Sequence, residues 1–196
     1  MKIIRISLFL LFIALTINGM SQQLEFMGLP LHSTISDYSK VLSSHKFKDE
    51  YTWGSLAHQY WEGGDFWKQR NCKVRLFAKN DVLVDIIEIK IPYNNFNSYK
   101  DYAQVANELI SDLSTKYGIP KIDTLKIEKE VDIIFSSSDL KNDLCLIYKW
   151  ALSNGELRIM INRNRVYTLL IQYKSIEYIN CSKDAVRFKG QGTSDL

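Results

Sequence analysis

Three histidines, three cysteines and one dense group of aromatic rings are the residues of this 196-residue sequence whose chemistry could define a site. A zinc site asks for histidine, cysteine or carboxylate ligands at close, repeated spacings. His32, His45 and His58 are spread through a loop, a helix end and a strand, and no pair has that spacing. Cys72, Cys145 and Cys181 are separated by 73 and 36 residues, which matches no zinc motif. No G-x-S-x-G elbow, phosphate loop or dinucleotide fingerprint occurs. The expectation is a noncatalytic chain with no cofactor and no metal.

The aromatic group is different. Between Tyr51 and Arg70 lie Trp53, Tyr60, Trp61, Phe66 and Trp67, so three of the chain's four tryptophans fall in fifteen residues. Polar neighbours (Gln59, Glu62, Asp65, Lys68) surround them. Such rings can stack on sugars or anchor a protein partner, and they can equally fill a core between sheet and helices. A weaker cluster, Arg158, Arg163 and Arg165 around one hairpin, would meet an acidic ligand or else form a solvated face.

Composition narrows the classes. Apolar residues make up 46% and aromatic residues 12%, which excludes a largely disordered chain. Net charge is +3; without Lys2 and Arg5, 23 basic residues face 22 acidic ones, a net of +1. No basic field is available to attract nucleic acid or anionic lipid. Residues 1–21 read as a secretory signal peptide: Lys2 and Arg5, an apolar run from Ser7 to Ile17, then Gly19 and Ser21 before Gln22. The run is short for a membrane span, and the alternative is an uncleaved anchor. No cysteine follows it for lipid attachment. The mature chain is therefore expected to be exported, periplasmic or extracellular, without stable membrane insertion. Export permits a disulfide, but three cysteines allow at most one intramolecular bridge, and spacing does not choose it.

The elements that must position these residues alternate between two periods. Thr34 and Asp37, then Ser98 and Asp101, have capping-box spacing. Ile35, Tyr38, Val41 and Leu42 form a helical stripe after the first; Tyr102, Val105, Leu109, Leu113 and Tyr117 form one after the second, which Gly118 and Pro120 end. Lys48 to Ser55 reads as a connection. His58 to Glu62 reads as a strand, Gly63-Gly64 as a hairpin turn, and Asp65 to Ala78 as a long strand with a break near Asn71. Val82 to Ile91 continues the sheet, with Val84 and Ile86 inward and a parity slip at Ile86–Ile87.

After the second helix, Thr124 to Ile127, Val131 to Phe135, Leu144 to Leu152, Glu156 to Asn162 and Val166 to Lys174 read as strands. Asn154-Gly155 is the strongest hairpin signal. Ser175 to Asp184 reads as a short helix. The pattern predicts an α+β fold of two consecutive helix-plus-antiparallel-meander units, residues 22–97 and 98–182, with both helices on one sheet face and a polar tail at 183–196. The alternative is an α+β domain with the same elements and no duplication.

Several stretches carry a resemblance: F-M-G-L-P-L-H-S-T (Phe26 to Thr34), G-G-D-F (Gly63 to Phe66), Y-G-I-P (Tyr117 to Pro120) and W-x4-G (Trp150 to Gly155). Together they resemble small exported proteins of unknown function from Bacteroides-type bacteria. The helix-then-meander order is similar to the beta-lactamase-inhibitor-protein fold, built from two such units, and to outer-membrane assembly lipoproteins, which use one. The resemblance implies a protein-binding role and transfers no contact residue. The function expected is an exported noncatalytic binding module contacting a protein or envelope component through the Trp53–Trp67 region. A carbohydrate or small-ligand binder using the same aromatics is the alternative.

Overall fold

A computed structural model describes residues 22–52, 58–78, 82–126, 144–162 and 169–182. Two very short strands, β1 (Glu25–Phe26) and β2 (Leu29–Pro30), pair with each other. Helix α1 (Ile35–Ser44) follows, then β3 (Lys48–Thr52), β4 (His58–Phe66), β5 (Gln69–Ala78) and β6 (Val84–Ile91). Helix α2 (Tyr99–Tyr117) leads into β7 (Lys121–Lys126), β8 (Leu144–Leu152), β9 (Gly155–Asn162) and β10 (Leu169–Ser175). A last helix, α3, spans 176–182. Strands β3 to β10 form one antiparallel sheet in the order β3-β4-β5-β6-β10-β9-β8-β7. Each large helix thus precedes a four-stranded meander, and the last strands of the two meanders, β6 and β10, pair at the centre.

Register shows why one face takes the helices. Trp61, Val74, Ile89, Ile171, Ile159 and Tyr148 lie side by side across six strands. One residue along, the facing row is Tyr60, Arg75, Glu88, Gln172, Arg158 and Lys149. Period-two alternation sends the apolar row to one face and the polar row to the other. The apolar row belongs to the core with Tyr38 and Leu42 of α1 and Tyr102, Ala106 and Leu109 of α2. The edge strands β3 (KDEYT) and β7 (KIDTLK) are rich in charge, which discourages a further strand from adding on.

Both helices start as their capping residues dictate. Thr34 Oγ1 accepts from Asp37 N–H at 3.1 Å and donates to the Asp37 carboxylate at 2.7 Å. Ser98 Oγ accepts from Asp101 N–H at 3.2 Å. Gly118, at φ 86°, ends α2 in a conformation that suits glycine. The buried stripe of α2 is Tyr102, Ala106, Leu109 and Tyr117, with Val105 and Leu113 only partly buried. The helix is thus rotated toward Ala106.

The N-terminal hairpin is the third cover of this face. Phe26 is fully buried, with its ring centroid 6.0 Å from Tyr38 of α1, 6.0 Å from Phe66 of β4 and 5.6 Å from Tyr173 of β10. Tyr38 donates its hydroxyl to the Pro30 carbonyl at 2.8 Å, and Lys116 of α2 reaches Glu25 at 3.5 Å. Leu24 N–H donates to Asn154 Oδ1 at 2.8 Å, while Asn154 Nδ2 donates to the Leu24 carbonyl at 3.0 Å. The β8–β9 turn therefore does two jobs: it reverses the chain and holds the residues before β1.

Four local expectations are corrected. Gly63-Gly64 is not a turn: both glycines lie inside β4, which shifts register around Gly64 and reverses only at Trp67-Lys68. Gly63, at φ 78°, forms a bulge, and the Phe47 ring occupies the space where a side chain on Gly64 would sit. Lys48–Thr52 is not a connection but the edge strand β3, whose polar sequence hides a strand that needs no buried face. Ile86 does not share the helix-facing side with Val84. It pairs with Phe77 on the opposite face, because the register shifts between Phe77 and Ala78 and leaves Asp85 as the extra residue. Strand β7 begins at Lys121, earlier than its sequence pattern indicates, and the Val131 to Phe135 stretch lies outside the described residues.

Gly64 gives a test of this packing. Gly64→Ala places a methyl group inside the Phe47 ring position, and such overpacking costs about 1–3 kcal/mol. The urea midpoint should fall accordingly; an unchanged midpoint would show that Phe47 is free to leave.

Candidate functional site

The five aromatics singled out by composition are not on one surface. Trp61 and Phe66 both lie on the helix-facing side of β4, because the bulge at Gly63 shifts the alternation between them, and both are core residues, 5% and 9% exposed. Neither can touch a partner, so both leave the candidate contact surface. Phe66 packs on Phe26, which lies some forty residues earlier in the chain. Tyr60 points to the opposite side of the same strand. There the Arg75 guanidinium sits 4.5 Å from the Tyr60 ring centroid and 4.3 Å from that of Phe77, between two rings. Trp53 lies outside the described residues.

Trp67 is the candidate that stays at the surface on the helix side. It occupies the β4–β5 turn at φ 53°, a region bulky side chains seldom enter. The contacts that hold it come from α2. Trp67 Nε1 donates to Asp112 Oδ2 at 2.9 Å. Lys68 Nζ lies 4.6 Å from the Trp67 ring centroid and 3.1 Å from Glu108 Oε2, while Gln104 Nε2 donates to Glu108 Oε1 at 3.0 Å. The Gln104 and Lys68 hydrogen bonds hold the Glu108 carboxyl below the usual carboxylate range. The result is a half-buried indole, fixed in orientation and rimmed by charged groups. Tyr60 and Trp67 lie on opposite sides of the sheet, so they cannot share a platform for a sugar ring.

The histidines are likewise separate. His45 caps the C-terminus of α1, and the His58 ring packs edge-on against Phe77 at 4.7 Å. His32 Nδ1 approaches Asp85 Oδ1 at 3.2 Å, too obliquely for a hydrogen bond. Ser175 Oγ donates to the same Asp85 oxygen at 3.0 Å and accepts from Tyr178 N–H at 3.1 Å. Serine and histidine therefore both address the aspartate rather than each other, which is not the order a nucleophile relay requires. Among the described residues no group of three or more histidine, cysteine or acidic side chains could hold a metal, and no helix is long and apolar enough to cross a membrane.

On the polar face, Arg158 sits among charges that spacing alone did not reveal. Glu156, 7% exposed, is contacted by Lys149 through Oε2 and by Arg158 Nε through Oε1. Lys149 stands directly opposite Arg158, so the strand pairing itself brings the two cations to one carboxylate. Burial pushes the Glu156 carboxyl up, but the hydrogen bonds from Lys149 and Arg158 outweigh it and hold the group below its usual value. Arg163 and Arg165 lie outside the described residues. The cysteines divide by environment: Cys72 is buried, its thiol pushed up to about 12 by burial, and Cys181 is exposed. The Cys145 side chain is outside the description.

No family model matches the chain, and neither does a curated protein or a solved structure.

Two outcomes follow from the geometry. A carboxylate with a depressed folded pKa adds stability above its unfolded pKa of about 4.3 and loses it as pH falls through the folded value. Glu156→Gln should therefore lower stability by about 1–3 kcal/mol at neutral pH and narrow the gap to wild type at acidic pH, read from urea midpoints. A gap that stays constant with pH would contradict the pairing. Separately, a maleimide should label Cys181 in the native protein and reach Cys72 only in denaturant. Equal native labelling of both would place Cys72 at the surface.

Proposed function

We propose that the chain is an exported, noncatalytic binding module that contacts a protein or an envelope component, with Trp67 as its anchor. The observation that carries this reading is the way Trp67 is held. A tryptophan at a hairpin tip, locked by an indole–carboxylate hydrogen bond and backed by a helix, loses little freedom on binding. Rigid aromatic anchors inside a charged or polar rim are the residues that dominate protein interfaces. Lys68, Glu108, Asp112 and Gln104 supply that rim here. The helix-plus-meander order, which resembles the beta-lactamase-inhibitor-protein arrangement, points the same way. A sugar-stacking surface built from the same aromatics has less support, because Trp61 and Phe66 are in the core.

The test separates binding from folding. A photo-crosslinking residue at Lys68 should trap an envelope partner, and Trp67→Ala should weaken that partner's affinity by about 2 kcal/mol or more, roughly 30-fold. The variant's unfolding midpoint should stay within about 1 kcal/mol of wild type, since the indole is only half-buried. Undiminished binding by a folded Trp67→Ala protein would remove Trp67 as the anchor.

A further inference from the structure

The second face of the sheet carries a site unrelated to Trp67. Lys149, Arg158 and Lys174 come from three adjacent strands, β8, β9 and β10, and line one cavity of about 220 Å³ together with Glu156, Tyr178 and Ser182. The register accounts for the convergence. Lys149 stands opposite Arg158, and Lys174 stands opposite Glu156. Helix α3 leaves β10 at Ser175 and lays Tyr178 and Ser182 along the rim of the cavity. The space exceeds the roughly 150 Å³ cavity that admits a benzene ring, so it holds a small organic molecule rather than only a few waters.

Charge decides what fits. Both oxygens of Glu156 are already engaged, Oε2 by Lys149 and Oε1 by Arg158. Lys174 stands directly across from that carboxylate, but its ammonium makes a cation–π contact with the Tyr178 ring, at 5.7 Å, instead of a salt bridge to Glu156. Burial, and then the nearby Arg158, push the Lys174 ammonium below the usual lysine value. Three cations and one carboxylate leave the cavity with a surplus of two positive charges. Glu88, the next carboxylate, is on β6 and accepts from Gln172 at 2.6 Å; counting it still leaves a positive site. The side chains of Lys149 and Arg158 are 30% and 26% exposed, so these charges are only partly answered by water.

We propose that this cavity binds a small molecule bearing a carboxylate or phosphate group, with Lys174 and Arg158 pairing its anionic oxygens and the Tyr178 hydroxyl hydrogen-bonding its polar edge. Lys174 is the specificity-determining residue, because Glu156 makes its ion pairs with Lys149 and Arg158 and Lys174 turns to the Tyr178 ring instead. Half-buried cations gain more from an anion than solvated ones do, since water competes less for them. The site lies across the sheet from Trp67, so either assignment can fail without the other.

Full-length mature protein should be titrated with benzoate and, separately, with inorganic phosphate, following heat of binding and backbone amide shifts. Saturable binding of either below about 10 mM is expected, and which of the two binds names the anion chemistry. Lys174→Met should weaken it at least about tenfold and Lys174→Glu should abolish it, while Lys40→Met, on α1 at the other side of the sheet, should leave it unchanged. In wild type the shifted amides should cluster on β8, β9, β10 and α3, which serves as the readout should a Lys174 variant fail to fold. Failure of both anions to saturate, equal affinity in Lys174→Met, or shifts centred elsewhere would each overturn the site.

Discussion

The pairing of β6 with β10 is the constraint on which the molecule depends. It runs from Ile91 opposite Leu169 to Ile86 opposite Lys174 and turns two meanders into one sheet. On the helix side the seam is built from Ile87, Ile89, Ile91, Leu169, Ile171 and Tyr173, all buried. On the other side Gln172 donates to Glu88 at 2.6 Å, and at the end Ser175 donates to Asp85 at 3.0 Å. Apolar strands alone could slide by two residues and still bury their side chains. The two buried polar bonds penalise any such slip, because each would leave a polar group unpaired in the interior.

The N-terminal hairpin depends on that seam and reinforces it. Phe26 rests on Tyr173, which stands opposite Ile87 across the central pair. The same ring touches Phe66 and Tyr38, so one side chain from the start of the chain contacts β4, β10 and α1. Burying a phenylalanine side chain is worth about 1.5–3 kcal/mol. Here that gain also holds α1 against the sheet, while Glu25 reaches Lys116 of α2.

Local chemistry was readable from sequence, and long-range packing was not. Ser98 and Thr34 specify their helices through neighbours three residues away, so both starts were legible. Asn154-Gly155 was legible for the same reason, although its tie to Leu24 was not. Gly63-Gly64 misled because its role is set by Phe47, which no turn rule includes. Strand β3 was hidden because an edge strand can be polar on both faces. The aromatic cluster shows the limit most clearly. Trp61, Phe66 and Trp67 look alike in composition, yet strand alternation, shifted by the bulge at Gly63, sent the first two into the core and left the third at the rim. The basic cavity had only Arg158 as a signal; its partners Lys149 and Lys174 become neighbours once the strands are in register.

The place of β10 in the sheet has a consequence for the order in which the protein can be made. A ribosome delivers β3 to β6 first and the central partner of β6 last, after more than seventy further residues. Until then the inner edge of β6, Ile86 to Ile91, has no strand to pair with, and the apolar row behind it lacks half its neighbours. The first meander is therefore not a self-sufficient folding unit, and closure waits for contacts of long sequence separation, which form slowly. A nascent chain halted after β6 and before β10 would carry an open, β-branched edge, the feature that most invites pairing with another molecule. Completion of the chain, rather than of either half, is the event that makes this sheet safe.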